Sequence, residues 1–270
     1  MQLLRGRVAA EPDPALEMAA SHALLTRARA GELESVLRVF RPTPMVAFGR
    51  RDANRPGFPA AASACLRVGF TPVVRATGGR AVACTPNALV LDHVQRAPGA
   101  LGGIAVDGAS AGDGSANTVF GGMEQRFETF GAMLAEVLAD VGIDARVGEV
   151  PGEFCAGAHS INARGTVKLI GTAQRVVRDA WFFSSVVITD DRDVIAPLLV
   201  EVYDALELPF DPASVGAVAT EAPGTTIDLL EQAFIGAYDD RFGLVETRMD
   251  ADLLTEAEGL RADHQVAPAG

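Results

Sequence analysis

A cysteine among small residues is the clearest candidate for chemistry in the sequence. Cys155 lies in residues 152–161, Gly-Glu-Phe-Cys-Ala-Gly-Ala-His-Ser-Ile, where little side-chain bulk would shield the thiol from a substrate. Such a thiol becomes a nucleophile when a nearby cation lowers its pKa. His159 and Lys168 are the local candidates for that cation. A single cysteine is also commonly a small buried apolar residue, so both interpretations stay open.

Lys168 is the second candidate. It opens the apolar run Lys-Leu-Ile at residues 168–170, and Gly171 is expected to break that strand. A lysine pointing into a site would supply a fixed positive charge that polarises an acyl carbonyl or holds a phosphate. A lysine at a strand edge that discourages aggregation fits the same pattern.

A pair of glycines forms the third candidate, within residues 74–82, Val-Arg-Ala-Thr-Gly-Gly-Arg-Ala-Val. Glycines after a strand allow a positive φ or the close approach of backbone to a ligand. Arg75 and Arg80 would then flank an anionic or acyl group. An ordinary turn explains the pair equally well. The segment matches neither the P-loop pattern nor the Rossmann glycine pattern.

Metal binding and disulfide bonding are not indicated. The three cysteines show no CxxC spacing, and the four histidines show no metal-binding spacing. Cys65 and Cys84 lie in apolar stretches that predict packing. A reducing cytoplasm is the expected location.

The elements that must position these residues alternate between helices and strands. Apolar periodicity predicts helices at 13–31, 60–68, 127–142, 191–208 and 225–243. It predicts strands at 35–40, 45–50, 70–75, 81–83, 88–91, 145–150, 160–162, 167–170 and 181–188. Composition predicts loops at 52–59 and 97–118 and a frayed tail at 263–270. Helices at both ends with strands between them favour an α+β fold with a mixed or antiparallel sheet.

Composition excludes several classes of protein. Thirty-five acidic against 23 basic residues give a net charge of −12, which argues against a nucleic-acid phosphate binder. The sequence holds no 18-residue apolar window and no signal-peptide core at its start, so neither a membrane span nor a leader is expected. A length of 270 residues favours one large domain.

Three segments in this order resemble the biotin/lipoate protein ligase and octanoyltransferase superfamily, over residues 13–245. They are Phe-Gly-Arg at 48–50, the glycine-pair segment at 75–82, and Lys-Leu-Ile-Gly-Thr-Ala-Gln-Arg at 168–175. The last matches the family pattern K-x-x-G-x-A-Q-R and is the most specific of the three.

The glycine-pair segment departs from the R-R-x-G-G-G-A-V-x-H pattern of the ATP-dependent lipoate ligases. Ala76, Arg80 and Cys84 stand where that pattern has Arg, Gly and His. These departures weaken the expectation of an enzyme that forms an acyl-adenylate.

Residues 153–157, Glu-Phe-Cys-Ala-Gly, look like the E-[FY]-C-x-G element of the cysteine-dependent octanoyl/lipoyl amidotransferases, and residues 208–216 also look like that subfamily. Those enzymes move an acyl group from the glycine cleavage H protein to the E2 subunits of oxo-acid dehydrogenases. The resemblance implies that Cys155 accepts the acyl group as a thioester and that Lys168 is the acyl-site lysine. The lysine of an acceptor lipoyl domain would then attack that thioester.

The resemblance also implies one catalytic domain over 1–270, with a core at about 13–245, a helical C-terminal tail, and a mixed, largely antiparallel sheet flanked by helices. It implies the following substrate-binding residues: Arg75, Thr77, Gly78, Gly79, Ala81, Gly157, His159, Gly171, Thr172 and Ala173. No cofactor or metal is expected beyond the octanoyl or lipoyl substrate. The expected partners are lipoyl domains of E2 subunits, with the H protein or acyl carrier protein as donor, and neither nucleic acid nor membrane.

Two alternatives remain open. In an ATP-dependent lipoate or octanoate ligase, Arg75 and Lys168 would hold the acyl-adenylate phosphate and Cys155 would be dispensable. A non-catalytic acyl- or lipoyl-domain-binding relative would keep the fold without forming an acyl-enzyme. Nothing in the sequence favours biotin over a linear acyl chain.

Because the net charge is −12, docking of an acidic lipoyl domain would need a local basic patch, for which Arg50, Arg51 and Arg55 are the candidates.

Overall fold

The computed structural model describes residues 1–99 and 122–267, and the structural statements below concern those residues. The strands are β1 (Gln2–Arg5), β2 (Ser35–Phe40), β3 (Met45–Phe48), β4 (Thr71–Val74), β5 (Val82–Cys84), β6 (Ala88–Arg96), β7 (Ala145–Val147), β8 (Ile161–Ala163), β9 (Val167–Val177), β10 (Ala180–Ile188) and β11 (Val245–Thr247). The helices are α1 (Pro14–Ala30), α2 (Arg50–Ala53), α3 (Phe58–Arg67), α4 (Met123–Asp140), α5 (Arg192–Ala205), α6 (Val218–Glu221), α7 (Ile227–Phe242) and α8 (Ala251–Leu260).

Two sheets carry the described part of the fold. The larger has eight strands in the order β11-β1-β2-β6-β10-β9-β8-β7. Its pairs β11–β1 and β1–β2 are parallel, and the other pairs are antiparallel. The smaller sheet has the order β4-β3-β5, with one parallel and one antiparallel pair. The predicted α+β fold with a mixed, largely antiparallel sheet flanked by helices is confirmed, with a second sheet that the sequence did not separate.

The core lies on both faces of the larger sheet because side chains alternate along each strand. On β10, Val186 packs toward the smaller sheet and α5, whereas Phe183 packs toward α4 and α7. Phe182 packs under α1. The first helix begins as predicted, since the Asp13 carboxylate accepts a hydrogen bond from the backbone N–H of Leu16 at 3.0 Å. It ends at Gly31, which has a φ of 83°.

Several local predictions are wrong. The predicted loop at 52–59 holds the end of α2 and the start of α3. Gly171 does not break its strand: it pairs with Val186 inside β9, which continues to Val177. A lone glycine weakens a strand without ending it, and here the pairing with β10 continues past the glycine. The short strands β1 and β11 carry too few residues to show a period and were missed.

The C-terminal segment, predicted to fray from residue 263, is instead held in place at His264 and Gln265. The backbone N–H of Val74 donates to the carbonyl of His264 at 3.0 Å, and Val73 pairs with Gln265. This pairing covers the free edge of β4. Residues 268–270, and the predicted loop from residue 100 onward, lie outside the described residues.

That residues 1–270 form a single catalytic domain stays a prediction.

In the described ranges, no helix is both long enough and apolar enough to cross a membrane.

Candidate active site

Cys155 lies in the connection between β7 and β8 with its backbone in the left-handed region, at a φ of 47°. Non-glycine residues are seldom found there, and such strain concentrates at functional sites. The backbone N–H of Cys155 donates to the hydroxyl oxygen of Tyr203 at 2.6 Å, and that hydroxyl donates to the carbonyl of Ala81 at 3.0 Å. Tyr203, on α5, therefore holds the cysteine backbone against the glycine-pair segment.

The sulfur of Cys155 lies among positive groups. The backbone N–H of Arg80 donates to Sγ at 3.1 Å, and Nη2 of Arg75 lies 3.6 Å from it. Burial by itself raises the pKa of the thiol, but the charges of Arg75 and Lys168 and the two hydrogen bonds outweigh it, so the pKa of Cys155 lies below its ordinary value. This arrangement favours a thiolate, which is the nucleophilic form.

Position 79 must be a glycine because the Cys155 sulfur and the Arg75 guanidinium lie too close to its backbone to leave room for a Cβ. It has a φ of 97°, and a Cβ on it would lie 2.7 Å from Sγ of Cys155 and 2.4 Å from Nη2 of Arg75. Gly49 has a related role, because a Cβ there would lie 2.0 Å from the carbonyl oxygen of Gly79. The glycines of the Phe-Gly-Arg and glycine-pair segments thus let two backbones meet beside the sulfur.

Lys168, on β9, lies beneath the cysteine loop with only 1% of its surface exposed. Nζ donates to the carbonyls of Phe154 at 2.9 Å and Cys155 at 3.0 Å, and it lies 3.4 Å from Oε2 of Glu153. Burial lowers the pKa of Lys168 below its ordinary value, against the raising effect of Cys155 and Glu153. The strand-edge interpretation is therefore wrong, since this lysine is buried against the loop.

Glu153 fixes the shape of the cysteine loop. Its Oε1 accepts hydrogen bonds from the backbone N–H of Gly157 at 3.1 Å and from the hydroxyl of Ser160 at 2.9 Å. Its other oxygen faces Lys168. One carboxylate therefore joins both ends of the loop to the lysine beneath it.

A cavity of about 250 Å³ opens beside the sulfur. Its lining consists of Gly78, Gly79, Met123, Phe127, Cys155, Ala156, Gly157, His159, Ser160, Thr172, Ala173 and Gln174. His159 stacks on Phe127 with ring centroids 4.7 Å apart, and its Nε2 lies 3.1 Å from a carboxylate oxygen of Glu124. The hydroxyl of Thr172 donates to the carbonyl of His159 at 3.1 Å.

A second cavity, of about 30 Å³, lies between the two sheets. Its lining consists of Met18, Ser21, Met45, Ala47, Arg75, Ala76, Thr77, Val82, Cys84, Val90, Asp92, Phe182, Ser184 and Val186. Arg75 joins the two regions, because its guanidinium contacts Sγ of Cys155 while its side chain lines the inner cavity.

Two of the predicted substrate-binding residues line neither cavity. Ala81 is fully buried and contributes its carbonyl to Tyr203. At Gly171, a Cβ would lie 3.3 Å from Cε of Lys168, so the glycine leaves room for the lysine stem. The other predicted residues are brought together by the fold around Cys155 and Arg75.

Sequence reasoning missed Asp52, Tyr203, Met123 and Phe127. Asp52 is fully buried, and its Oδ1 accepts from Nη1 of Arg80 at 2.9 Å, which holds the residue whose backbone contacts the sulfur. No local pattern distinguishes this aspartate from a loop residue, because its partner lies 28 positions away. Within the described ranges, no group of three or more His, Cys, Asp or Glu side chains is placed to hold a metal ion.

Comparisons with known proteins show what the chain is similar to. No family model matches the chain. The chain is 28% identical over 166 residues to the octanoyl-[GcvH]:protein N-octanoyltransferase of Geobacillus kaustophilus, across 62% of this chain and 52% of that protein. The chain thus spans about half the length of this curated relative.

Solved structures give the class of fold. A lipoate-protein ligase A bound with ATP superposes with a TM-score of 0.70 at 18% identity, covering 97% of this chain and 95% of that one. A bi-partite lipoate protein ligase from Thermoplasma acidophilum gives a TM-score of 0.68 at 16% identity, covering 97% and 92%. The fold is that of the lipoate-protein ligases. With the sequence match, it confirms the resemblance to the biotin/lipoate protein ligase and octanoyltransferase superfamily.

Proposed function

We propose that the chain transfers an octanoyl or lipoyl group to the lysine of a lipoyl domain through a thioester on Cys155. The observation that supports this proposal most directly is the environment of the Cys155 sulfur. Sγ accepts a hydrogen bond from the Arg80 N–H, contacts the Arg75 guanidinium, and lies at the wall of an open cavity. A cysteine that served only packing would have no need of a lowered pKa, and the buried Cys65 has its pKa raised to about 12.

In the first step, the thiolate of Cys155 attacks the acyl carbonyl of the donor. An S–C bond forms and the carbonyl oxygen takes the negative charge. The carbonyl then re-forms as the bond from its carbon to the donor's nitrogen or sulfur breaks, and the leaving amine or thiol takes a proton, for which His159 on the cavity wall is the candidate donor. The candidate donors to that oxygen are the Arg80 N–H and Arg75, which contact the sulfur before attack. The acyl chain would pass by Thr77 into the inner cavity, whose lining is mostly apolar.

In the second step, the neutral amine of the acceptor lysine attacks the thioester, an amide forms, and Cys155 leaves as thiolate. The amine gives up one proton, and His159, on the cavity wall beside Glu124, is the candidate to take it. Lys168 contributes charge and loop position, since its ammonium faces three oxygens of Glu153, Phe154 and Cys155. A bond from Lys168 to the acyl oxygen would require one of those contacts to open.

The transfer as proposed needs neither ATP nor a metal, because the donor already carries the acyl group in an activated or near-isoenergetic bond. The donor would be the H protein or an acyl carrier protein, and the acceptor the lipoyl domain of an oxo-acid dehydrogenase E2 subunit. A cytoplasmic location suits a mechanism that depends on a reduced thiol.

An acidic lipoyl domain would meet a basic rim on this acidic protein. Arg50 and Arg51 are exposed on α2, next to Gly49 and the cysteine site. Arg55 contributes less, because its Nε is engaged with the carbonyl of Leu206 at 2.6 Å. Arg175 donates to the carbonyl of Ala76 at 3.1 Å, and it lies close enough to Arg50 for the two charges to interact.

An ATP-dependent ligase remains the second candidate, because the superposed lipoate-protein ligases cover 97% of this chain. In that case Arg75 would bind the phosphate of an acyl-adenylate, and Cys155 would be dispensable. The contact of Arg75 with the sulfur favours the transferase over the ligase.

Intact mass spectrometry after incubation with octanoylated H protein, without ATP, tests the proposal. We expect an octanoyl adduct that hydroxylamine removes and that Cys155→Ala abolishes. Cys65→Ala is the matched control, since Cys65 is fully buried in α3, and it should keep the adduct. Acylation of a lipoyl domain from free acid and ATP, without any enzyme adduct, would replace the transferase with the ligase.

A further inference from the structure

Five polar side chains interrupt the otherwise apolar lining of the inner cavity. Arg75 and Thr77 belong to the glycine-pair segment beside Cys155, and the other three are Ser21 of α1, Asp92 of β6 and Ser184 of β10. We propose that Ser21, Asp92 and Ser184 form a rigid stop that sets the length of the acyl chain the cavity accepts. The inference rests on the acyl-transfer function proposed above and names the part of the site that selects the substrate.

The three side chains hold one another in place. Ser184 lies directly opposite Asp92 in the β10–β6 pair, and its hydroxyl donates to Oδ1 of Asp92 at 2.6 Å. The hydroxyl of Ser21 donates to Oδ2 at 2.5 Å. Because Asp92 is 2% exposed, turning either hydroxyl away would leave a buried carboxylate oxygen without its donor. The stop therefore resists displacement by an incoming chain.

A buried ion pair supports the stop from behind. Nη1 of Arg38 donates to the hydroxyl of Ser21 at 2.9 Å and to the carbonyl of Glu17 at 2.9 Å. Arg38 also pairs with the Glu17 carboxylate, and its side chain is fully buried. Breaking such a pair leaves an uncompensated buried charge. Ser21 is thus fixed from both sides, by Asp92 and by Arg38.

Two residues of the remaining lining can adapt. It includes Met18 and Met45, whose unbranched thioether side chains repack more easily than branched ones. The cavity of about 30 Å³ holds one or two water molecules, which is far less than an eight-carbon chain. A chain entering past Thr77 must therefore move side chains, and the methionines can yield while the hydrogen-bonded stop cannot.

If the stop sets the length of the bound acyl chain, substitution of Ser184 should change the preferred length. A saturated chain extends until its terminal methyl meets the stop, and further methylenes would overpack a rigid wall. Ser184→Ala removes one oxygen from the wall and leaves Asp92 its bond from Ser21, so it should lengthen the preferred chain. Ser184→Thr keeps the hydroxyl and adds a methyl, so it should shorten the preferred chain.

Ser185 supplies the matched control. It is the next residue on β10, 1% exposed, and it points to the opposite face of the sheet because strand side chains alternate. It lies outside the cavity lining, so Ser185→Ala removes the same atom from the same strand without touching the stop.

The experiment measures the rise in Tm produced by hexanoate, octanoate, decanoate and dodecanoate on the wild type, Ser184→Ala, Ser184→Thr and Ser185→Ala. A ligand that binds the folded state raises Tm by mass action. Compared with the wild type, we expect the acid that raises Tm most to be the next longer acid of the series for Ser184→Ala and the next shorter one for Ser184→Thr. For Ser185→Ala we expect the same acid as for the wild type.

The same preferred acid for all four proteins would overturn the inference, as would the absence of a rise with any acid. A misfolded variant shows itself by its own Tm without acid, and the variant that shifts in the opposite direction then decides the question. Adduct formation from octanoylated H protein is measured in parallel. Shifted chain preferences without any adduct would remove the transferase function and leave the length stop standing.

Discussion

At the scale of single residues, the site depends on a thiol that burial and charge act on in opposite directions. Desolvation raises the pKa of Cys155, whereas the charges of Arg75 and Lys168 and the hydrogen bonds from Arg80 and Arg75 together lower it further. Arg75 contacts the sulfur directly, whereas Lys168 contacts the carbonyls beneath it. Both charges therefore lower the pKa of the thiol, and Lys168 in addition holds the loop in place.

Arg75→Met should raise the pH at which Cys155 reacts. The thiolate alone is nucleophilic, so the rate of alkylation by iodoacetamide rises through the pKa of the thiol. For the wild type we expect the midpoint below about 8.5, the value of a free cysteine, and for Arg75→Met a midpoint at higher pH. Arg51→Met, on exposed α2, should leave the midpoint unchanged. An unchanged midpoint in Arg75→Met would show that the guanidinium does not act on the sulfur.

Lys168→Met should destabilise the protein by about 3–5 kcal/mol, as for other buried charges that lose their partner. The cause is the Glu153 carboxylate, which is left buried with only the Gly157 and Ser160 donors. Urea denaturation measures the loss. The double variant Lys168→Met/Glu153→Gln should lose less than the sum of the two single variants, because the two groups interact. Additive losses would contradict the pairing of Lys168 with Glu153.

At the scale of elements, the turn between β4 and β5 brings a backbone N–H to the sulfur, and its two glycines are not equivalent. A Cβ at Gly79 would collide with Sγ of Cys155, whereas the nearest atom to a Cβ at Gly78 is the carbonyl oxygen of Gln174 at 3.9 Å. Gly79→Ala should therefore lower octanoyl transfer by at least about tenfold, or roughly 1.4 kcal/mol in the barrier, and Gly78→Ala much less. Single-turnover transfer rates measure both. Equal losses would mean that the segment is an ordinary turn.

The sequence predicted these elements unevenly, and the reasons are physical. Helix α1 was predictable because Asp13 caps it and Gly31 ends it. The sequence predicts that β9 ends at Gly171, but the strand continues because it pairs with β10 as far as Val177, a tertiary effect that local propensity does not show. Cys155 and Lys168 were chosen from motif and spacing, but Tyr203 and Asp52 act across long sequence separations and leave no local signal.

At the scale of the whole molecule, histidines whose pKa burial lowers connect stability to pH. His93 is fully buried among aromatic rings that include Phe130 and Trp181, and burial lowers its pKa to about 3. Burial and the neighbouring His264 lower the pKa of His22 to about 4. Unfolded histidines take up protons near pH 6.5, so the unfolded chain binds more protons below that pH.

The free energy of unfolding should therefore be unaffected by these histidines above about pH 6.5 and should fall as the pH drops toward 4. Urea denaturation at a series of pH values measures it. His93→Phe removes one of the three histidines whose pKa burial lowers and should make the fall shallower between pH 6.5 and 4. A fall as steep as in the wild type would show that His93 does not contribute to the acid sensitivity.

The account as a whole depends on the thioester being an intermediate in transfer. The most direct test isolates octanoylated wild-type enzyme, adds an unmodified lipoyl domain without ATP, and follows both intact masses with time. We predict that the octanoyl mass leaves Cys155 at the rate at which it appears on the lipoyl domain. An adduct that persists while the lipoyl domain stays unmodified, or a lipoyl domain acylated equally well by Cys155→Ala, would contradict the account.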